Sequence, residues 1–211
     1  MDFQKKLRVL DPAVKKNITK LIKEIEKNID YLYEIATIDE KTGVYNNKFF
    51  KTISEMELDK TKRGIGPLSL LIIDLDNFKK LNDKYGHLIG DKILHRLGFV
   101  LKENTRKYDI VSRFGGEEFI ILLPNTTLKR AKVVCERLRK KVQDDSEMSK
   151  YSVTMSGGLT EYRKGDSVKR MQIRADKAVY KAKILGKNRL EILYTKMKYN
   201  RFNPKTEKTK S

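Results

Sequence analysis

Cysteine is nearly absent from this sequence, with a single residue, Cys135, among 211. One thiol cannot close an internal disulfide, which excludes a disulfide-stapled scaffold. Cys135 lies on the apolar side of the helical pattern Ala131-Lys132-Val133-Val134-Cys135-Glu136-Arg137-Leu138 and reads as a core thiol, not a nucleophile. Histidine occurs twice, and His87 and His95 share no ligand partners, so both read as packing or surface residues. Long apolar runs are missing as well. None approaches the roughly 18–20 residues of a membrane span, and Met1-Asp2-Phe3-Gln4-Lys5-Lys6 lacks the apolar region of a signal peptide. A cytoplasmic location is expected.

What the chain has in excess is positive charge, a formal +19. Such an excess raises nucleic-acid binding as a reading, but its distribution weakens that reading. Residues 1–38 carry 8 basic and 6 acidic side chains and residues 195–211 carry 6 and 1, so lysine is spread along the whole sequence. No stripe of lysines interleaved with aromatics occurs, as single-strand binders use. A solvated lysine-rich surface is the plainer explanation, and its field favours anionic nucleotides. With 39% hydrophobic residues a packed core is within reach.

The informative stretch is Arg113-Phe114-Gly115-Gly116-Glu117-Glu118-Phe119, flanked by Ile110-Val111-Ser112 and Ile120-Ile121-Leu122-Leu123. Two β-prone runs separated by Gly-Gly predict a hairpin, because tight primed turns need the positive φ that glycine reaches freely. Neighbouring strand residues point to opposite faces, so Glu117 and Glu118 should do different jobs. A second run, Leu68-Ser69-Leu70-Leu71-Ile72-Ile73, has strand length and stops at Asp74-Leu75-Asp76. A buried strand delivering carboxylates at its end suits hard oxygen ligation of Mg²⁺.

Around these lie further elements. Residues 13–37 form an amphipathic helix in which Val14, Ile18, Leu21, Ile25, Leu32 and Ile35 keep four-three spacing, with Asn28 in the seam and Ile22 and Ile29 widening the stripe. About three heptads fit either a short coiled coil or a helix lying on its own domain. A turn follows at Asp39–Asn46, then helices over 48–62, 77–83, 88–104, 127–143 and 167–185, the last closed by Gly186. Strands are expected over 68–75, in the hairpin, over 151–156 ending at Gly157-Gly158, and over 190–194. Lys62–Pro67 is a loop whose Gly-x-Gly lacks a following helix and is no dinucleotide fingerprint. The polar tail 195–211 is expected to be disordered. The fold class is α+β: a mixed sheet flanked by helices, preceded by the N-terminal helix 1–38, with the main domain over 39–194.

RFGGEEF resembles the signature of the GGDEF family, the diguanylate cyclases, in its Gly-Gly-Glu-Glu-Phe form. DEKTGVYN (39–46), PLSLLIIDLDNFKKLNDKYGHLIGD (67–91), RKYD (106–109), SGGLT (156–160) and RADKAVYKAKILGKNR (174–189) match in order, so the resemblance covers roughly residues 39 to 192. It implies a palm-like fold shared with nucleotide cyclases and polymerases, and condensation of two GTP into cyclic di-GMP and two pyrophosphates by a homodimer. It implies that Asp74, the Leu75 carbonyl and Glu117 hold Mg²⁺, with Mn²⁺ as a substitute, and that Glu117 or Glu118 assists deprotonation. Asn82 and Asp91 match the guanine readers; a carboxylate accepts from guanine's ring N–H and amine together, which adenine cannot satisfy. Phosphates would meet backbone amides around Asn77, Phe78 and Lys79 at a helix N-terminus, and Lys183 and Lys187, one helical turn apart if the helix continues. Arg106 and Asp109, with Arg137, match the site where cyclic di-GMP inhibits.

The sequence departs from the family at Lys187, where Arg is usual, at Lys41 for Leu, at Asn47 for Arg and at Gly157 for a β-branched residue. Lysine offers a point charge in place of a bidentate fork, and Gly157 should soften its strand. Two other readings stand beside a cyclase: a catalytically silent cyclic di-GMP receptor, which the intact Asp74, Asn82, Asp91 and Glu117 oppose, and a basic nucleic-acid binder. A simple surface ion pair is the alternative for Arg106 and Asp109.

Overall fold

The computed structural model describes residues 11–193; the expectations for 1–10 and for the tail 195–211 lie outside the described residues. The first helix, α1 (Pro12–Thr37), starts where the Asp11 carboxylate accepts from the Ala13 and Val14 N–H groups, with Pro12 at a position that needs no donor. Only Thr37 of α1 is buried. Leu21, Ile25, Ile29, Leu32 and Ile35 are exposed, so the helix does not lie on its own domain. Near its end Tyr33 meets Phe49 edge-on at 6.4 Å.

The domain then runs α2 (Asn47–Lys62), β1 (Leu68–Leu75), α3 (Phe78–Tyr85), α4 (His87–Glu103), β2 (Ile110–Gly115), β3 (Glu118–Pro124), α5 (Leu128–Gln143), α6 (Ser146–Lys150), β4 (Met155–Glu161), α7 (Val168–Ile184) and β5 (Leu190–Ile192). The sheet order is β2-β3-β1-β4-β5. All pairings are antiparallel except the parallel β4–β5 pair, so the sheet is mixed, as expected.

β1 is the middle strand and is apolar on both faces because both are covered. Leu71, Ile73 and Leu75 join the core formed with α4 and α5, while Leu68, Leu70 and Ile72 join the core formed with α2 and α7. This is the period-2 alternation of a strand between two helical layers. Cys135 is fully buried in the first of these cores, and burial pushes its thiol up, as fits an inert core residue.

Two sequence expectations need correction here. The strand expected over 151–156 begins at Met155: Tyr151 caps α6, and Ser152 adopts a positive φ of 53° that breaks the extended run. Gly157 and Gly158 therefore lie inside β4, not at its end. An added Cβ at Gly158 would stand 1.9 Å from the Ala175 carbonyl oxygen, and one at Gly157 would stand 2.5 Å from Leu190 Cδ2. Gly158 serves the close approach of α7, whose backbone it meets, whereas at Gly157 the near atom is the movable end of the Leu190 side chain and the structure does not explain the missing β-branched residue.

Candidate active site

Three strand ends meet at the site. Register places Asp74 opposite Glu118 on β3 and Ser156 on β4. Just beyond β1, Asp76 is buried and accepts from the Thr154 and Ser156 hydroxyls, both at 2.7 Å, and from the Asn188 N–H at 2.9 Å. Asp76 was not singled out in the sequence. Its signal was the Asp-x-Asp alternation, which puts 74 and 76 on one strand face.

The hairpin turn is held from outside. Only Gly116 takes a positive φ, 33°, and a bulge at Phe114 shifts the register, so the connection is not a simple two-residue primed turn. Arg113 donates from Nε and Nη2 to the Gly116 carbonyl at 3.1 and 2.9 Å and from Nη1 to Asp39 at 3.2 Å. Asn47 donates to the Phe114 carbonyl at 3.1 Å. The residue departing from the usual Arg thus fixes the bulge.

The two glutamates do diverge. Glu117 lines a cleft of about 610 Å³ with Asp74, Leu75, Asn77, Lys79, Lys183 and Lys187. Glu118 lines an adjoining pocket with Asp74, Asp176 and Tyr180. Partial burial, then the charges of Asp74, Asp176 and Glu117, raise the Glu118 carboxyl above its ordinary value, against the lowering effect of Lys183.

A cation already stands at the acidic strand end. Lys183 Nζ lies 2.6 Å from Asp74 Oδ1, 2.9 Å from the Leu75 carbonyl oxygen and 3.2 Å from Asp76 Oδ1. Oxygens that hold an ammonium in this way form a hard donor set, and Asp74, the Leu75 carbonyl and Glu117, which line one cleft, could hold a divalent ion. Among the described residues no three His, Cys, Asp or Glu side chains converge as a metal site by themselves. Any such site therefore includes the backbone carbonyl.

Beside these oxygens α3 opens without a side-chain cap, because Asn77 sits in the left-handed region at φ 59° and its amide oxygen accepts from Lys187 at 2.5 Å. The first-turn N–H groups of Phe78 and Lys79 are therefore left without a capping side chain, and Lys79 lines the cleft. Lys187 reaches the cleft by a route other than the one expected. α7 ends at Ile184, Gly186 turns the chain at φ 111°, and Lys187 follows at φ 64°. It is thus not one helical turn above Lys183.

Across the α3–α4 corner Asn82 packs against Gly90, the residue before Asp91. Asn82 Oδ1 is buried with no hydrogen-bond partner, and it packs where a Cβ on Gly90 would stand 1.9 Å away. A buried acceptor without a partner is a feature that asks for an explanation.

Arg106 and Asp109 share a turn at the start of β2. Asp109 Oδ2 accepts the Arg106 backbone N–H at 2.9 Å, while Asp109 Oδ1 is buried and unpartnered. The Arg106 guanidinium stands 5.8 Å over the Tyr108 ring, so the simple ion pair between their side chains is not the arrangement found. Arg137 donates to the Asn104 carbonyl at 2.9 Å and lines a neighbouring groove between α4 and α5.

Burial raises the Asp109 carboxyl above 3.8, more than the Arg106 N–H and the charges of Arg106 and Arg137 lower it. A raised value in the folded state means that the contribution of Asp109 to stability is fully present below the ordinary value of 3.8 and is lost as pH rises through the folded value. Asp109→Asn keeps the shape and one acceptor but removes the charge. Its melting temperature should exceed the wild type's by about 2–4 °C at pH 7, and the gap should close toward pH 4. A gap that does not change with pH would remove the buried charge as its cause.

The geometry can be set beside known proteins. Residues 36–189 match the family described as "Diguanylate cyclase, GGDEF domain". Diguanylate cyclase DgcP of Pseudomonas aeruginosa is 38% identical over 160 residues, 74% of this chain and 24% of that protein. Diguanylate cyclase A of Treponema denticola is 40% identical over 173 residues, 78% of this chain and 46% of that protein. The chain thus spans between about a quarter and a half of the length of these curated relatives. Among solved structures, the active GGEEF domain of a diguanylate cyclase from Vibrio cholerae superposes with a TM-score of 0.68 at 31% identity, covering 72% of this chain and 98% of that one. Sequence match, sheet topology and the acidic hairpin agree, and the chain belongs to the GGDEF domain family.

Proposed function

We propose that this protein is a diguanylate cyclase, with residues 39–194 as the catalytic domain, converting two GTP into cyclic di-GMP and two pyrophosphates with Mg²⁺ or Mn²⁺ between two copies of the chain. The observation that carries this reading is the Lys183 ammonium bound by Asp74 and the Leu75 carbonyl in a cleft shared with Glu117. It is a cation-holding set of oxygens beside an uncapped helix N-terminus. When bound, a divalent ion there supplies charge stabilisation to the α-phosphate and the leaving pyrophosphate.

The protein's own groups do the rest. Asn82 and Asp91 hold the guanine, and the N–H groups around Asn77, Phe78 and Lys79 hold phosphate oxygens. Lys183 and Lys187 neutralise the triphosphate once Lys183 leaves its resting place between carboxylates. The 3′-hydroxyl oxygen of each nucleotide forms a bond to the α-phosphorus of the other, the bond from each α-phosphorus to its pyrophosphate breaks, and each hydroxyl proton passes to Glu117 or Glu118. One cleft holds one nucleotide, so a second copy of the chain must face it. The exposed apolar stripe of α1 is suited to raise the chance of that encounter.

Purified protein incubated with GTP and Mg²⁺ should yield cyclic di-GMP and pyrophosphate by chromatography, with specific activity rising with protein concentration. GTP recovered unchanged under all conditions would defeat the proposal.

The turn at Arg106–Asp109 supports product inhibition within the same reading. Asp109 and Arg106 line one small pocket, where the carboxylate can serve guanine donors and the planar guanidinium fork a phosphate. Product bound there more tightly in the nonproductive arrangement of the two domains slows turnover. Arg106→Ala should leave the initial rate within about twofold while raising the cyclic di-GMP concentration for half-inhibition at least about tenfold, the loss of one charge-assisted contact. Progress curves with added cyclic di-GMP test it; equal inhibition of both proteins would refute the site.

A further inference from the structure

Lys41 stands on the carboxylate of Asp91, its ammonium donating to both oxygens at 3.1 and 2.9 Å. Both ends of this contact are fixed by the fold. The Asp39 carbonyl accepts from the Thr42 and Gly43 N–H groups, and Asp39 Oδ1 accepts from the Thr42 N–H and hydroxyl. The Thr42 carbonyl oxygen packs so closely on Gly98 that an added Cβ there would stand 2.3 Å away. Gly98 and Asp91 lie seven residues apart on α4, two turns along one face. The turn carrying Lys41 is therefore clamped to the helix carrying Asp91, and only the lysine side chain is left to swing.

That side chain can move at little cost. The Lys41 and Asp91 side chains are 49% and 46% exposed, and solvent-screened pairs of this kind hold weakly. Guanine presents two donors, the ring N–H and the exocyclic amine, next to one acceptor, O6. Asp91 can take the two donors but has nothing to give O6. An ammonium has three N–H groups, so it can keep one on the carboxylate and turn another outward to O6. Adenine carries an amino group where guanine carries O6, and a cation facing that donor disfavours it.

We propose that Lys41 is a specificity-determining residue that completes guanine recognition by donating to O6. This rests on the reading of Asp91 as part of a GTP site, with Asn82 held against Gly90, the residue before Asp91.

Nucleoside diphosphates lack the pyrophosphate leaving group, so their binding can be titrated without turnover. Lys41→Leu should bind GDP and IDP about five- to tenfold more weakly than wild type, the loss of a partly screened charge-assisted hydrogen bond. Binding of 6-thio-GDP, whose sulfur is a weak acceptor, should change less than twofold. Lys41→Arg should restore most of the GDP affinity, and an unchanged melting temperature will show that Lys41→Leu is folded. An equal loss for all three ligands, or no change for any, would overturn the assignment. Tighter binding of all three would also overturn it and make Lys41 a mere cover on Asp91. If wild type binds none of them and makes no product from GTP, the GTP reading fails along with it. Turnover of GTP by wild type with unchanged Lys41→Leu binding would sink the Lys41 proposal alone.

Discussion

Asp74→Asn and Glu117→Gln should each lower cyclic di-GMP formation by at least about a thousandfold, because each removes a full charge from the oxygens that would hold the cation. A tenfold loss corresponds to about 1.4 kcal/mol, and stabilising a transferring phosphoryl group through a metal is worth several times that. The fold should survive both changes. Glu117 sits at the turn, whose shape is set by Arg113 bonding to the Gly116 carbonyl, not by the Glu117 side chain. Asp74→Asn weakens one contact of Lys183, which still has the Leu75 carbonyl and Asp76. Melting temperatures within about 2–4 °C of wild type, the range of a 1 kcal/mol change at this size, together with absent product are the expected pair of results. Product formed near the wild-type rate by either variant would remove its residue from the metal set.

The second large effect is structural. Gly158→Ala places a Cβ 1.9 Å from the Ala175 carbonyl oxygen and 2.6 Å from the Val179 nitrogen. Both are backbone atoms of α7 and cannot rotate away. Overpacking of a tight core costs about 1–3 kcal/mol and occasionally more, and a clash with helix backbone belongs at or above the top of that range. The variant should lose at least about 3 kcal/mol of unfolding free energy in urea. Relief requires α7 to lift from the sheet, and α7 carries Lys183, so GTP affinity should fall in whatever folded fraction remains. Gly165→Ala, at a site where an added Cβ meets nothing within 4 Å, is the comparison; its φ of 89° carries backbone strain but no collision. Equal destabilisation by the two would mean that close approach is not what Gly158 provides.

Much of this was legible in the sequence because it is local. The apolar run 68–73 and its acidic stop specify β1 and Asp74 by period and composition alone. The hairpin is written in two β-prone runs around Gly-Gly, and Cys135 is marked by its place in a helical stripe. What was not legible depends on contacts between distant segments or on single backbone angles. Tyr151, Val153 and Met155 alternate like a strand, yet Ser152 turns left-handed and delays β4 to Met155. Lys187 keeps helical spacing from Lys183, yet Gly186 has already ended the helix. Lys41 and Asp91 lie 50 positions apart, and nothing around Lys41 announces the carboxylate it will meet.

The Asp76 carboxylate joins segments separated by 78, 80 and 112 positions, through Thr154, Ser156 and the Asn188 N–H. Contacts this remote carry the full loop-closure entropy of the intervening chain and form only once most of it has collapsed. This junction beside the cleft is therefore a property of the folded domain and of no shorter piece: a fragment ending before residue 188 would possess Asp74, the hairpin and both glutamates in sequence, and still lack the contact that ties the end of β1 to the chain beyond α7.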